Sequence, residues 1–112
     1  MRSSEPATLV ARRVVLFDDK FFDSLSAQAP PTRSAQGIPS RTDLLAYEIP
    51  PLMDVLADDY ESRTLAVGET DSLRILVQSG RLVRTIVLWC ELVDDVVRVF
   101  DVVIELFDEV AG

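Results

Sequence analysis

The stretch from Leu82 to Phe107, LVRTIVLWCELVDDVVRVFDVVIELF, constrains the fold of this chain more than any other segment. It contains the only Trp, the only Cys and most of the Val residues of a chain that is 112 residues long and 48% hydrophobic. Such a run has to supply the core whatever structure it adopts, because apolar surface is driven out of water. The length and composition predict one domain.

Two structures compete for this stretch. Read as a helix, it places a polar stripe opposite an apolar stripe with steps of three and four residues. The apolar stripe consists of Leu82, Ile86, Trp89, Val93, Val96, Phe100, Val103, Phe107 and Val110.

Read as a hairpin that turns at Asp94 and Asp95, the same stretch has the composition of strands, because 14 of its 26 residues are β-branched or aromatic. A two-residue turn there places Glu91 opposite Arg98, and Arg84 opposite Glu105.

Physical arguments favour the hairpin. A helix of about 30 residues would be roughly 45 Å long, which is longer than a domain of this size is wide. It would also place the like charges of Asp101, Glu105 and Glu109 four residues apart, which is unfavourable in a helix. We therefore predict the hairpin and keep a mostly helical fold with a long C-terminal amphipathic helix as the alternative.

The remaining elements follow from shorter patterns. Residues 1–8 are predicted to be a flexible tail, and residues 9–17 a strand that ends at Asp18 and Asp19, where the N-cap of a short helix follows. That helix carries Phe21, Phe22 and Leu25 on one face, and we interpret the two Phe residues as core rather than as ligand contacts. A loop over residues 29–41 leads to Ser40 or Thr42, either of which can cap the next helix.

The second helix, over residues 42–62, contains Pro50 and Pro51, which predict a kink or a restart with the prolines in the first turn. A strand over residues 72–78 precedes the hairpin. The predicted fold class is α+β: an N-terminal strand and a helical pair pack on an antiparallel sheet that ends in a three-stranded meander.

Charge and residue usage exclude several functions. The net charge of −8 argues against general affinity for nucleic acid or for a membrane, since basic surface holds both. The chain has no His, which removes Ser-His and Cys-His catalysis, and we predict no metal or cofactor. The single Cys90 predicts a buried thiol in a cytoplasmic protein. We interpret the acidic group Asp54, Asp58, Asp59 and Glu61 as a solvated helix face rather than a divalent-cation site.

Three segments carry a resemblance to a known family: VVLFDDKFFDSL, GIPSRTDLL and LRILVQSGRLVRTIVLWCELVDDVVRVFDVVIEL. In their order of strand, helical pair and meander they resemble the RelE/ParE-like toxins of bacterial toxin-antitoxin systems. The resemblance implies a single domain over residues 9–110. It also implies a toxin that acts on mRNA during translation or on DNA gyrase and is neutralised by a partner protein, or a relative that kept the fold and changed its task.

The chain departs from the nuclease pattern at the end of its last predicted strand, which reads ELFDE from Glu105 and contains no base or cation. Carboxylates there would repel a phosphate backbone, so no catalytic residue is assigned, and ribonuclease activity depends on the resemblance alone. The cationic candidates for contacts with nucleic acid or a partner are Arg74, Arg81 and Arg84.

The two faces of the predicted hairpin suggest a partner. Val87, Trp89, Val93, Phe100 and Val102 share one face, and two short helices can cover only the other. The other face carries Ile86, Leu88, Cys90, Leu92, Val97, Val99 and Val103. A monomer rarely exposes so large an apolar patch, so we predict that an antitoxin-like protein or a second copy covers it.

Three functions therefore remain open: a toxin-like protein, a non-enzymatic acidic interaction or oligomerisation module with the same fold, and a helical oligomerisation protein. In the first two, the predicted interface includes Val87, Trp89, Phe100 and Val102. Nucleic acid or the ribosome is a partner only in the first.

Overall fold

The computed structural model describes residues 12–32, 37–69 and 72–107. Within these ranges the fold is α+β, as predicted, with helices packed on one mixed sheet of five strands. The elements are β1 (Val15–Phe17), α1 (Asp19–Gln28), α2 (Arg41–Asp43), a π-helical turn (Leu44–Glu48), α3 (Ile49–Arg63), β2 (Leu65–Ala66), β3 (Leu73–Ser79), β4 (Thr85–Val93) and β5 (Val96–Glu105).

The strands lie in the order β1-β5-β4-β3-β2. The three-stranded meander of β3, β4 and β5 is confirmed, and the long C-terminal helix is wrong, because the residues between Thr85 and Glu105 pair with one another as two strands. Two features were not predicted. Strand β1 joins β5 in parallel, which makes the sheet mixed, and β2 adds an antiparallel strand of two residues beside β3.

The turn of the hairpin lies at Asp94 and Asp95, as predicted. Both residues adopt positive φ, 51° and 67°. Two consecutive residues of this conformation form the two-residue turn whose twist matches that of the flanking strands. Asp tolerates the left-handed region better than most residues, which explains how the hairpin closes here without glycine.

A β-bulge corrects the predicted register. Cys90 pairs with Val99, but Trp89 pairs with Asp101, so that Phe100 is an extra residue in β5. Beyond the bulge every partner is shifted by one, and Glu105 lies opposite Thr85 instead of Arg84.

The same shift exchanges two side chains between the faces of the sheet, because successive strand residues point to opposite sides. Val102, predicted on the exposed face, is 1% exposed and belongs to the core. Val103, predicted in the core, is 50% exposed.

The N-terminal elements are shorter than predicted. Strand β1 begins at Val15, and residues 1–11 lie outside the described part of the chain, as does the predicted tail. Helix α1 follows Asp18, its N-cap residue. Phe21 and Leu25 are fully buried, but Phe22 is 40% exposed and was wrongly placed in the core.

The second helical segment starts with a capping box. Ser40 accepts a hydrogen bond from the Asp43 backbone N–H at 3.0 Å, and the Asp43 carboxylate accepts one from the Ser40 N–H at 3.0 Å. The prolines lie in the first turn of α3, as predicted. The π-helical turn precedes them, and its Ile49 N–H donates to the carbonyl of Leu44, five residues back. This wider turn gives room for proline rings that would otherwise crowd carbonyls.

The helices cover one face of the sheet and form a single core with it. The buried helical side chains lie against alternate residues of the three long strands. The core residues are Phe21, Leu25, Ala29, Leu44, Ile49, Leu52, Leu56, Tyr60, Leu76, Val83, Ile86, Leu88, Cys90, Val97, Val99 and Val102.

The turn can be tested at Asp94. We expect Asp94→Val to lower the free energy of unfolding by about 1–2 kcal/mol, since a β-branched side chain clashes with the backbone at positive φ. Asp94→Asn, which tolerates this conformation, should stay within about 0.5 kcal/mol of the parent in the same urea denaturation experiment. Equal stability of the two variants would contradict the turn described here.

Candidate functional site

The face of the sheet opposite the helices is apolar, and we call it the open face. Two rows of paired residues cross it. Leu65 lies beside Ile75, and Ile75 beside Trp89. The next row consists of Val77, Val87 and Val103.

The side chains of these rows remain accessible to solvent. Leu65 is 63% exposed, Val103 is 50% exposed and Val77 is 46% exposed. Trp89 and Val87 lie between them and are partly buried by their neighbours. A continuous apolar surface of this kind on a small protein is typical of a binding surface.

Most polar residues of the open face lie at its two ends; Asp101, which pairs with Trp89 between them, accepts a hydrogen bond from the Ser24 hydroxyl of α1. At one end Arg98 contacts both Glu91, its cross-strand partner, and Asp18. The Arg98 guanidinium also lies 5.4 Å from the centre of the Phe100 ring. At the other end Glu105 lies opposite Thr85 and is exposed. The face therefore carries more carboxylates than cations.

The predicted interface residues divide between the two faces. Val87 and Trp89 lie on the open face, and Phe100 lies at the bulge beside Arg98. Because of the β-bulge, Val102 lies in the core and Val103 takes its place on the open face.

The predicted cationic residues are not brought together. Arg74 lies near the start of β3, and Arg81 and Arg84 follow its other end, which puts about 16 Å of extended strand between the two sites. Arg74 points to the helical side, where it donates to the Thr64 hydroxyl at 2.6 Å and to the Thr64 carbonyl at 2.9 Å. Its guanidinium therefore lies at the C-terminal end of α3, where cations stabilise a helix.

A buried carboxylate, which the sequence patterns did not single out, organises the loop between β3 and β4. Glu48 is 4% exposed, and its Oε1 atom accepts hydrogen bonds from the backbone N–H groups of Arg81, Leu82 and Val83 at 2.7, 3.0 and 3.3 Å. Successive backbone N–H groups form a concave site that prefers an anion. Here the anion belongs to the protein, so Glu48 fastens the helical layer to the sheet.

Gly80 is required by this arrangement. A Cβ atom at this position would lie 2.6 Å from the Val83 carbonyl oxygen and would also meet the Glu48 carboxylate. The spacing of Leu44, Glu48 and Leu52, one residue every four, was a signal that Glu48 faces inward.

Three acidic residues of α3 form ion pairs with two arginines. Arg12 donates to Asp54 at 2.8 Å and to Asp58 at 2.7 Å, and Arg13 donates to Glu61 at 2.6 Å. The hydrogen bond from Arg13 lowers the pKa of Glu61. No group of three or more metal-ligating side chains occurs in the described ranges.

Two ionisable core residues have environments that favour their neutral forms. Burial raises the pKa of the Cys90 thiol to about 12, so no reactive thiolate is present near neutral pH. Burial likewise raises the pKa of Tyr60 to about 12. Among the residues that the structure describes, the Tyr60 hydroxyl has no hydrogen-bond partner, while Arg13 and Arg74 lie 5.8 and 5.9 Å from its ring centre.

No family model, curated protein or solved structure matches this chain. The described helices include none that is long and apolar enough to cross a membrane.

Glu48 can be tested against an exposed carboxylate. Glu48→Ala leaves three backbone donors, one buried and two part-buried, without this acceptor and should lower the free energy of unfolding by about 3 kcal/mol. Glu48→Gln keeps a carbonyl oxygen of similar shape and should cost about half as much. The exposed control Glu69→Ala should change stability by less than about 0.5 kcal/mol in the same urea denaturation. A Glu48→Ala protein as stable as this control would refute the proposed fastening.

Proposed function

We propose that the protein is an interaction module that binds another polypeptide chain through the open face. The observation that carries this proposal is that the helices cover only one face of the sheet, while Ile75, Val77, Val87, Trp89 and Val103 form an accessible apolar surface on the other.

The arrangement of the polar groups supports the same conclusion. Glu48, Arg74 and Arg12 are engaged in contacts that hold the helices and strands together. Cys90 lies in the core as a neutral thiol. The surface left for recognition is therefore an apolar face with charges at its ends, which suits a protein partner.

A cytoplasmic location is part of this proposal. It rests on the single cysteine of the chain, which is a free, buried thiol and not part of a disulfide.

The open face can be tested with Val77→Asp, since Val77 is nearly half exposed and tolerates a polar residue in the folded chain. Light scattering and binding of the neutral dye Nile red should show that the parent either associates with itself or binds the dye. Val77→Asp should weaken that association or binding by roughly tenfold or more, because a carboxylate placed in an apolar contact is desolvated without a partner.

Tyr47→Asp is the matched control, because Tyr47 is 62% exposed and lies on the π-helical turn of the helical layer. It should behave as the parent does. A monomeric parent that binds no dye would overturn the proposal.

A second candidate is a toxin-like function of the RelE/ParE-like group. The observation that favours it is the order of elements, in which one strand and a helical segment precede a three-stranded meander. In this candidate an antitoxin-like protein covers the open face, the target is mRNA, the ribosome or DNA gyrase, and any ribonuclease activity would belong to this function.

Induction in a bacterial host without a partner tests this candidate. If the protein is a toxin, the parent chain should arrest growth and Leu88→Asp should allow normal growth. This substitution places a carboxylate in the core and prevents folding. Normal growth with the parent at the same protein level would count against the toxin-like function and leave the interaction module unaffected.

A further inference from the structure

We infer that the occupant of the open face is a single amphipathic helix with an apolar stripe and basic residues toward both of its ends. This inference rests on the proposed function and names the chemistry of the partner. Three features of the open face support it: its width, its length and the sign of its charges.

The width of the face matches one helix. The three long strands, at about 4.8 Å each, present a surface roughly 14 Å wide, and a helix with its side chains is about 10–12 Å across. Strand β4 has nine residues, so the face is about 30 Å long, the length of a helix of roughly 20 residues.

The charges at the ends of the open face indicate the charge that a partner should carry. The face has carboxylates at both ends, Glu91 and Asp18 at one and Glu105 at the other, about 20 Å apart along the strands. Arg98 contacts two of the three carboxylates, and the exposed Arg84, whose backbone N–H donates to the Glu105 carbonyl, lies next to the third. A second copy would double the number of carboxylates in one interface, whereas a basic helix would place opposite charges at each end.

The position of Trp89 provides the readout. It is the only tryptophan of the chain and lies in the middle of the open face, so its fluorescence reports what covers that face. The probe is a synthetic amphipathic helix of Leu and Lys, about 18 residues long, roughly 27 Å. A peptide with Glu in place of each Lys is its matched counterpart.

We expect the Lys peptide to shift the Trp89 emission to the blue and to bind at least roughly tenfold more tightly than the Glu peptide. Glu105→Gln should weaken binding of the Lys peptide about threefold, since one end loses its charge. Asp23→Asn, which removes an exposed carboxylate from α1, should leave it unchanged.

The variant Val77→Asp distinguishes docking of the apolar stripe from nonspecific attraction of the Lys peptide to an acidic protein. This variant adds a negative charge to the open face, so simple attraction predicts equal or tighter binding, whereas docking of an apolar stripe predicts a loss of about tenfold. Equal or tighter binding of the Lys peptide to Val77→Asp would overturn the inference.

Two other results would overturn the inference but not the proposed function: equal binding of both peptides, or a dimer whose Trp89 emission shifts with protein concentration in the absence of peptide. If neither peptide binds and the parent is a monomer that takes up no Nile red, the proposed function itself fails.

Discussion

The pairing of β4 with β5 is the interaction on which the other elements of the protein depend. Strand β3 pairs with β4, and β1 pairs with β5 in parallel, so both outer parts of the sheet need the hairpin as their template. Helix α1 packs against β5, and its Gln28 side chain donates to the Val102 carbonyl at 2.7 Å and accepts from the Ile104 N–H at 2.8 Å. The contacts of the hairpin are local in the chain, whereas those that β1 and α1 make with β5 join residues far apart and are costlier to form.

The two faces of the sheet differ in how completely their apolar side chains are buried. On the helical side, Leu76, Leu88 and Val99 are fully buried, and Glu48 joins the helical layer to the loop before β4. On the open face the comparable residues remain in contact with water. This difference is a cost in free energy that the folded chain carries alone, and a partner that removes the apolar surface from water would recover part of it.

The hairpin, its turn at Asp94 and Asp95, the meander and a helix cap at Ser40 or Thr42 were predictable from the sequence because each depends on neighbouring residues. The bulge was not predictable. Val102 and Val103 are both valine, so the apolar pattern reads the same whichever of them faces the core. The two-residue strand β2 and the parallel pairing of β1 depend on contacts across the fold, and they leave little trace in local composition.

The candidate site was predictable to a similar degree. An apolar surface containing Val87 and Trp89 followed from strand alternation. The contacts of Arg74 could not be predicted from the sequence, because they depend on where α3 ends relative to β3. Glu48 shows that a charged residue at helical spacing within an apolar stripe can be bound by backbone N–H groups from a distant loop.

The outer strands of the sheet are short, since β1 has three residues and β2 has two. Each offers few backbone groups to an incoming strand, and Gln28 occupies groups of β5 beyond the end of β1. Sheets aggregate most readily when long edges allow strand after strand to be added in the same plane. At the β5 edge, a chain with a β-rich, apolar C-terminal half is thereby protected from the addition of further strands, while its broad surface stays free for recognition.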